Sequence, residues 1–412
     1  MIPFFRKFLL IFSLIILSVF SCRNQSDSDF LLDKQAKELA QQILILDSHI
    51  DVPYRLVEEY EDISTKTEKG QFDYPRAISG GLNVAFFAIY VWPALQEKGG
   101  ARASAELQIE MVLSIIGKHS DKFKQLFSPQ DLEGIIHPKM VNIVLGIENG
   151  AALEGKLENL SYFYQKGVRY ITLTHAKSNQ ICDSSYDPER KWNGLSPFGM
   201  EVVQEMNRLG IMIDVSHVSD EAFYQVLELS RAPVIVSHSA ARHFTPGFER
   251  NLDDEMIKMM AQKRGVIQVP FGSYFIHPEL NRVAEEVQKT IDTFLLEHHL
   301  AEDDSLAQAF IEDIKSRNQV DQGDIDLLIN QIDYIVNLAG VDYVGLGSDF
   351  DGIGKVPRGL EDVSAYPNII KELLKKGYSE SDIRKICGEN FLRVWREIEM
   401  YPQTIHTETS VN

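Results

Sequence analysis

Eight runs rich in apolar and β-branched residues recur along the chain, at 43–51, 82–91, 141–148, 168–175, 211–217, 233–238, 265–271 and 343–349. Each is nearly continuous in apolar character instead of alternating, as for strands covered on both faces in a parallel sheet wrapped by helices. Helical signals separate them. Ser196-Pro197 sets a cap residue and a first-position proline ahead of a helix over 198–209, which stops at Gly210. Ser219-Asp220-Glu221 opens another, with acidic residues at the positive end of its dipole. Eight strands alternating with helices predict an α/β fold, a (β/α)8 barrel of the TIM type.

Two connections exceed those of a minimal barrel. About 50 residues separate the second and third runs and include a helical pattern over 103–119. About 70 separate the seventh from the eighth, where 276–339 reads as charged amphipathic helices, an elaborated connection before the last strand and a candidate lid. A polar tether over 23–29 and a helix to about residue 42 precede the first run. The chain therefore divides into a leader (1–21), a tether and helix (22–42), one catalytic domain (43–400) and a C-terminal tail (401–412).

Six runs close on polar signatures: Asp47-Ser48-His49-Ile50-Asp51, Ile147-Glu148, Thr174-His175, Asp214-Val215-Ser216-His217, Ser237-His238 and Ser348-Asp349. In such a barrel the carboxyl ends of the strands converge on one site. One histidine at a strand end is ordinarily a satisfied polar residue. Four of the chain's eleven histidines at such ends form a set. His49, Asp51, Glu148, His217 and His238 supply three imidazoles and two carboxylates, which suits two divalent ions of zinc type with one carboxylate bridging. Two such ions about 4 Å apart would share a water, lower its pKa and polarise a scissile carbonyl. Asp349 fits the proton shuttle to the leaving amine, with Asp351 as its rival in the same Asp-Phe-Asp-Gly segment. His175, between the ligand-bearing third and fifth runs, is assigned to the substrate carbonyl or developing oxyanion. The second and seventh runs end without such residues, and there specificity is expected to be set.

The 412 residues are 44% hydrophobic, enough for a large core, and carry a formal charge of −19. A chain so acidic, with no basic patch interleaved with aromatics, is no nucleic-acid binder. Arg6 and Lys7 precede an apolar stretch over 8–20 broken only by Ser13 and Ser18, and then comes Ser21-Cys22. This is the charged and apolar build of a signal peptide, too short to span a bilayer comfortably. Cys22 after the small Ser21, followed by a polar run, resembles a bacterial lipoprotein cleavage site, with an ordinary secretory signal as the alternative. That resemblance implies a lipidated Cys22 and an extracytoplasmic protein anchored to a bacterial membrane. Cys182 and Cys387 are too few for a disulfide framework and read as free thiols.

Taken together the segments resemble the membrane dipeptidase (renal dipeptidase) family of zinc peptidases, from about Leu46 to Arg396. The matching stretches are Asp47 to Pro53, Gly146 to Gly150, Tyr170 to His175, Gly194 to Gly199, Ile213 to His217, Ser230 to Ser239 and Gly347 to Gly352. The resemblance implies that His49 and Asp51 bind one zinc, His217 and His238 the other, and that Glu148 bridges them. It also implies that His175 contacts the scissile group, that Asp349 shuttles the proton, and that Arg250 receives the substrate's terminal carboxylate, for which Arg242 is a nearby rival. The implied substrate is a dipeptide, including one with a D-residue at its C-terminal side; a homodimer is left open.

Departures from the family pattern are Asn149-Gly150 after Glu148 where two glycines are usual, a lengthened 238–250 segment, and the long 276–339 connection. The pocket-lining side chain near Phe271-Gly272 is not placed by the pattern. Two other functions are compatible with the residues: another binuclear barrel amidohydrolase, such as a deaminase or lactonase, and a surface lipoprotein that binds peptides or metal without catalysis. The latter has no need of Asp349 beside a complete ligand set.

Overall fold

The computed structural model describes residues 29–132, 139–301 and 304–409, with the backbone alone over 403–409. The leader over 1–21 and Cys22 lie outside the described residues. Among the described residues a helix over 29–40 leads into nine strands: β1 (Leu46–Ile50), β2 (Val84–Tyr90), β3 (Phe123–Gln125), β4 (Val141–Glu148), β5 (Val168–Thr172), β6 (Met212–Asp214), β7 (Ile235–Val236), β8 (Val266–Val269) and β9 (Val344–Leu346). All pair in parallel, in the order β1-β2-β4-β5-β6-β7-β8-β9. The Asp51 N–H donates to the Phe350 carbonyl (2.8 Å) and the Asp349 N–H to the His49 carbonyl (2.9 Å), so the last strand's exit meets the first. The result is a nearly closed TIM-type barrel of eight parallel strands with helices between, one strand for each apolar run. β3 pairs outside this ring with β4 and has only three residues, too few for a periodic signal.

The continuous apolar runs are explained by two cores. Ala85, Phe87 and Ile89 of β2 and Ile143, Leu145 and Ile147 of β4 face the surrounding helices. Val84 and Phe86, with Val144, Tyr170, Met212, Ile235 and Val266, fill the barrel interior with Phe391, Val394 and Trp395 of the last helix. That helix, Asn390–Thr409, plugs the barrel's amino-terminal end, and its backbone stays helical past residue 401. The predicted helix caps are present. Ser196 accepts from the Gly199 N–H (2.9 Å) ahead of Pro197–Leu209, and Ser219 accepts from the Ala222 N–H (3.2 Å) ahead of Asp220–Leu229.

The long connection after β8 forms helices Ser273–Ile276, Pro278–His298, Ser305–Arg317 and Asp326–Ala339. The last packs on the barrel through Leu328, Ile329, Ile332 and Ile335, while the middle pair stack on each other at Phe294 and Phe310. The short first helix puts Phe275 against the active-site cavity, whereas among the described residues none of 276–339 lines it, so the three longer helices stand beside the mouth instead of over it.

Interior packing also depends on Gly146, whose β-carbon would lie 2.1 Å from the Tyr170 ring. Gly146→Ala is expected to destabilise the protein by about 1–3 kcal/mol through overpacking, measured by chemical denaturation.

Candidate metal centre and active site

Parity along the strands decides what points into the mouth. On β4 the interior residues Val144 and Gly146 are followed, at the same parity, by Glu148, the strand's final residue. On β1 the simple alternation fails. Leu46 faces the interior, which would send His49 outward, but the pairing with β2 shifts register between Asp47 and Ile50. This bulge turns Ile50 to the outer core and His49 and Asp51 to the mouth.

The remaining site residues lie just past their strands: His175 three residues beyond β5, His217 three beyond β6, His238 two beyond β7 and Asp349 three beyond β9. His217 and Asp349 have φ of +66°, and Asp351 +67°, a left-handed backbone that side chains ordinarily avoid. Buried carboxylates hold these turns. Asp214 accepts from Ser216 N–H (3.0 Å) and Oγ (2.8 Å), from Ser237 N–H (2.9 Å) and Oγ (2.5 Å), and from Thr172 Oγ1 (2.5 Å). Asp47 accepts from the N–H groups of His49 (3.1 Å) and Ser348 (3.0 Å) and from the Tyr366 hydroxyl (2.6 Å). Sequence reasoning gave neither acid a role. Their shared signal was an Asp whose carboxylate can reach the N–H two residues on.

Glu148 sits at the centre, and its two oxygens face different groups. Oε2 lies 3.7 Å from His49 Nε2, which is itself 3.4 Å from Asp51 Oδ2. Oε1 lies 3.1 Å from His217 Nε2, 3.4 Å from His238 Nε2 and 3.6 Å from His175 Nε2. The His217 and His238 Nε2 atoms are 2.8 Å apart, and His49 Nε2 is buried without a hydrogen-bond partner. Three carboxylates, Asp51, Glu148 and Asp349, are buried in this cluster. Convergent imidazole lone pairs and accumulated buried negative charge fit divalent cations.

Two hydrogen bonds aim the rings. The Tyr170 hydroxyl meets His49 Nδ1 (2.8 Å) and Ser237 Oγ meets His238 Nδ1 (2.8 Å), leaving Nε2 of each directed inward. Tyr170 is a further residue that the sequence reading missed. Burial, reinforced by the Arg250 and His49 charges, holds His238 well below the ordinary histidine range; burial with Arg250 does the same to His217. Both are therefore neutral and ligand-competent. At His49 burial is outweighed by Asp51 and Glu148, which push its pKa well up. Burial, and next the Asp51 carboxylate, push Asp349 well above the carboxylate range.

The two rivalries left by the sequence are separated by contacts. Asp349 Oδ1 lies 3.8 Å from His49 Nε2, within the cluster. Asp351 is committed to Arg55 (3.0 Å) and the Gln71 N–H, and burial raises its pKa to about 6. The close approach of Asp349 and Asp51 needs Gly352, where a β-carbon would lie 2.3 Å from Asp51 Oδ2 and 2.9 Å from Asp349 Oδ1. Arg242 is held bidentately by Asp220 (2.7 and 2.5 Å). Arg250 is buried, donates to Ser239 Oγ and the His238 carbonyl (2.7 Å), and lies 3.0 Å from His217 Nε2. Its Nε has no partner, and no carboxylate of the described residues pairs with it.

The cluster forms the floor of a cavity of about 470 Å³ walled by Tyr54, Tyr90, Trp92, Tyr186 and Phe275. Tyr90 ends β2, Trp92 follows it and Phe275 follows β8, the strands that end without metal-binding residues. Phe275 is also the side chain that the pattern near Phe271-Gly272 left unplaced.

The chain matches the family model "Membrane dipeptidase (Peptidase family M19)" over residues 33–409. It is 31% identical over 380 residues to an uncharacterized dipeptidase of Schizosaccharomyces pombe, covering 88% of this chain and 82% of that protein. Among solved structures it resembles the probable dipeptidase PvdM of Pseudomonas aeruginosa, with 29% identity, a TM-score of 0.78 and coverage of 90% and 99% of the two chains. It also resembles a metallopeptidase of Rhodobacter sphaeroides liganded with a phosphinate mimic of the dipeptide L-Ala-D-Ala, with 25% identity, a TM-score of 0.70 and coverage of 86% and 99%.

Tyr170→Phe is expected to weaken metal binding by about 10–100-fold, read by chelator competition, with the circular dichroism spectrum unchanged.

Proposed function

Since the chain belongs to the membrane dipeptidase family, peptidase family M19, and is a metal-dependent hydrolase acting on dipeptides, we propose that it works with two zinc ions, which His49, Asp51, Glu148, His217 and His238 would hold. The observation that carries this reading is the division of Glu148's oxygens, one toward His49 and Asp51 and the other toward His217 and His238. Imidazole and carboxylate donors suit zinc, whose ligand sets are of this kind. When bound, the ions supply Lewis acidity, polarising the scissile carbonyl and acidifying the attacking water.

The remaining steps fall to side chains. Asp349, on the cavity floor with its Oδ1 3.8 Å from His49 Nε2, takes the proton of the attacking water and delivers it to the leaving amine. His175, on the Oε1 side of Glu148 and against Tyr90, stabilises the charge developing on the carbonyl oxygen. Arg250 grips the terminal carboxylate. A buried guanidinium without a carboxylate partner has unmet demand for an anion, and a free α-carboxylate answers it. That demand explains restriction to dipeptides, since in a longer peptide the next residue replaces the carboxylate. The Rhodobacter relative's phosphinate ligand supports tolerance of a C-terminal D-residue here.

The leader and Cys22 support a lipid-anchored, extracytoplasmic enzyme. Labelling by a fatty-acid probe is expected to require Cys22 and to be lost in Cys22→Ala.

Purified enzyme is expected to hold about two zinc ions per chain and to hydrolyse L-Ala-D-Ala. Exhaustive chelation should abolish turnover, and retained activity would overturn the reading. Asp349→Asn should lower kcat by about 100-fold or more while the zinc content, measured by elemental analysis, stays the same.

A further inference from the structure

The loop after β5 folds back over the loop after β6: the Ser185 N–H donates to the His217 carbonyl (2.8 Å) and the Ser219 N–H to the Asp183 carbonyl (2.9 Å). At its tip Tyr186 faces the cavity, its ring centroid 5.9 Å from that of His217 and 6.0 Å from that of Phe248. Arg250 reaches the same histidine ring at Nε2 (3.0 Å). Tyr186 and Arg250 thus both border His217, and the Tyr186 hydroxyl has no hydrogen-bond partner among the described residues.

One carboxylate ties this arrangement together. Arg190 donates to the carbonyls of Ser184 and Asp187, bracing the turn that carries Tyr186, and pairs with Glu249 Oε2. Glu249 Oε1 accepts from the Asp220 N–H (2.9 Å), and Glu249 immediately precedes Arg250. Loops following β5, β6 and β7 therefore meet at Glu249. Only about a quarter of either side chain in the pair is exposed (26% for Arg190, 25% for Glu249), so the link is shielded more than an open surface pair.

We propose that Tyr186 is a second binding residue for the dipeptide's terminal carboxylate, donating its phenol beside Arg250, and that the Arg190–Glu249 pair is the clip that positions the two around His217. The inference rests on the reading of Arg250 above. A phenol donor adds a directed hydrogen bond to an anion already gripped by the guanidinium fork. Glu249 and Arg190 are positioning residues, acting through Tyr186 and Arg250 without touching substrate.

The test uses metal-loaded enzyme, reading KM and kcat for a dipeptide and Ki for its C-terminal amide as a competitive inhibitor. Tyr186→Phe should raise KM about tenfold while kcat and the amide's Ki change by about twofold or less. Arg190→Met and Glu249→Gln should each raise KM severalfold, their combination no further, and Arg190→Lys should restore most of the loss. An unchanged KM in Tyr186→Phe, or equal losses for dipeptide and amide, would overturn the assignment. Arg250→Met separates the two layers. If it fails to weaken dipeptide over amide, the Arg250 reading falls and takes this inference with it; if it succeeds where Tyr186→Phe does not, Tyr186 alone is ruled out.

Discussion

Three carboxylates buried together at one end of a barrel cannot all keep their charge unless cations join them, and the site is organised around that constraint. Asp51, Glu148 and Asp349 are almost wholly removed from solvent, and four imidazoles converge on Glu148. Without metal the demand for positive charge falls on His49, held between Asp51 and Glu148 and driven toward its protonated form. His217 and His238, beside Arg250, are driven the other way and stay neutral. The asymmetry suits metal capture, in which a bound cation takes over the compensating role of the His49 proton.

Such a cluster needs a rigid frame, because ligands displaced by a fraction of an ångström lose their common focus. Two buried acids that never touch the cluster supply much of it. Asp214 collects five donors from three strand ends and fixes the turns that present His217 and His238. Asp47 fastens the backbone of His49 and of Ser348 at the seam where the first and last strands meet. Saturated hydrogen bonding is what lets these carboxylates stay buried, and it carries the left-handed backbone at His217 and Asp349. Charge in the site and order in the loops are two sides of one arrangement.

Much of this was legible in the chain. The eight strands were readable because a parallel barrel buries both strand faces, so each strand is a continuous apolar run. The seven residues His49, Asp51, Glu148, His175, His217, His238 and Asp349 were readable because polar groups closing such runs gather at one rim, and the structure brings them together. Asp349 and Asp351 could not be told apart by position, since both follow the last strand; their contacts separate them, Asp349 with His49 in the cluster and Asp351 with Arg55. Arg242 and Arg250 likewise needed their partners to be seen. β3 left no trace because three residues set no period.

Local pattern, then, determined the architecture and the chemistry: the eight barrel strands, the barrel class, the donor set and the metal-dependent hydrolysis it supports. These follow from composition and spacing, which act over a few residues. The tertiary structure decided which side chains share a partner. The register shift in β1 that turns His49 inward depends on β2, and the orientation of the His49 ring depends on Tyr170 from across the barrel. The meeting of three loops at Glu249 joins residues far apart in the chain. Hydrogen bonds and ion pairs between distant segments leave no periodicity along the chain, so their geometry exists only once the barrel has closed.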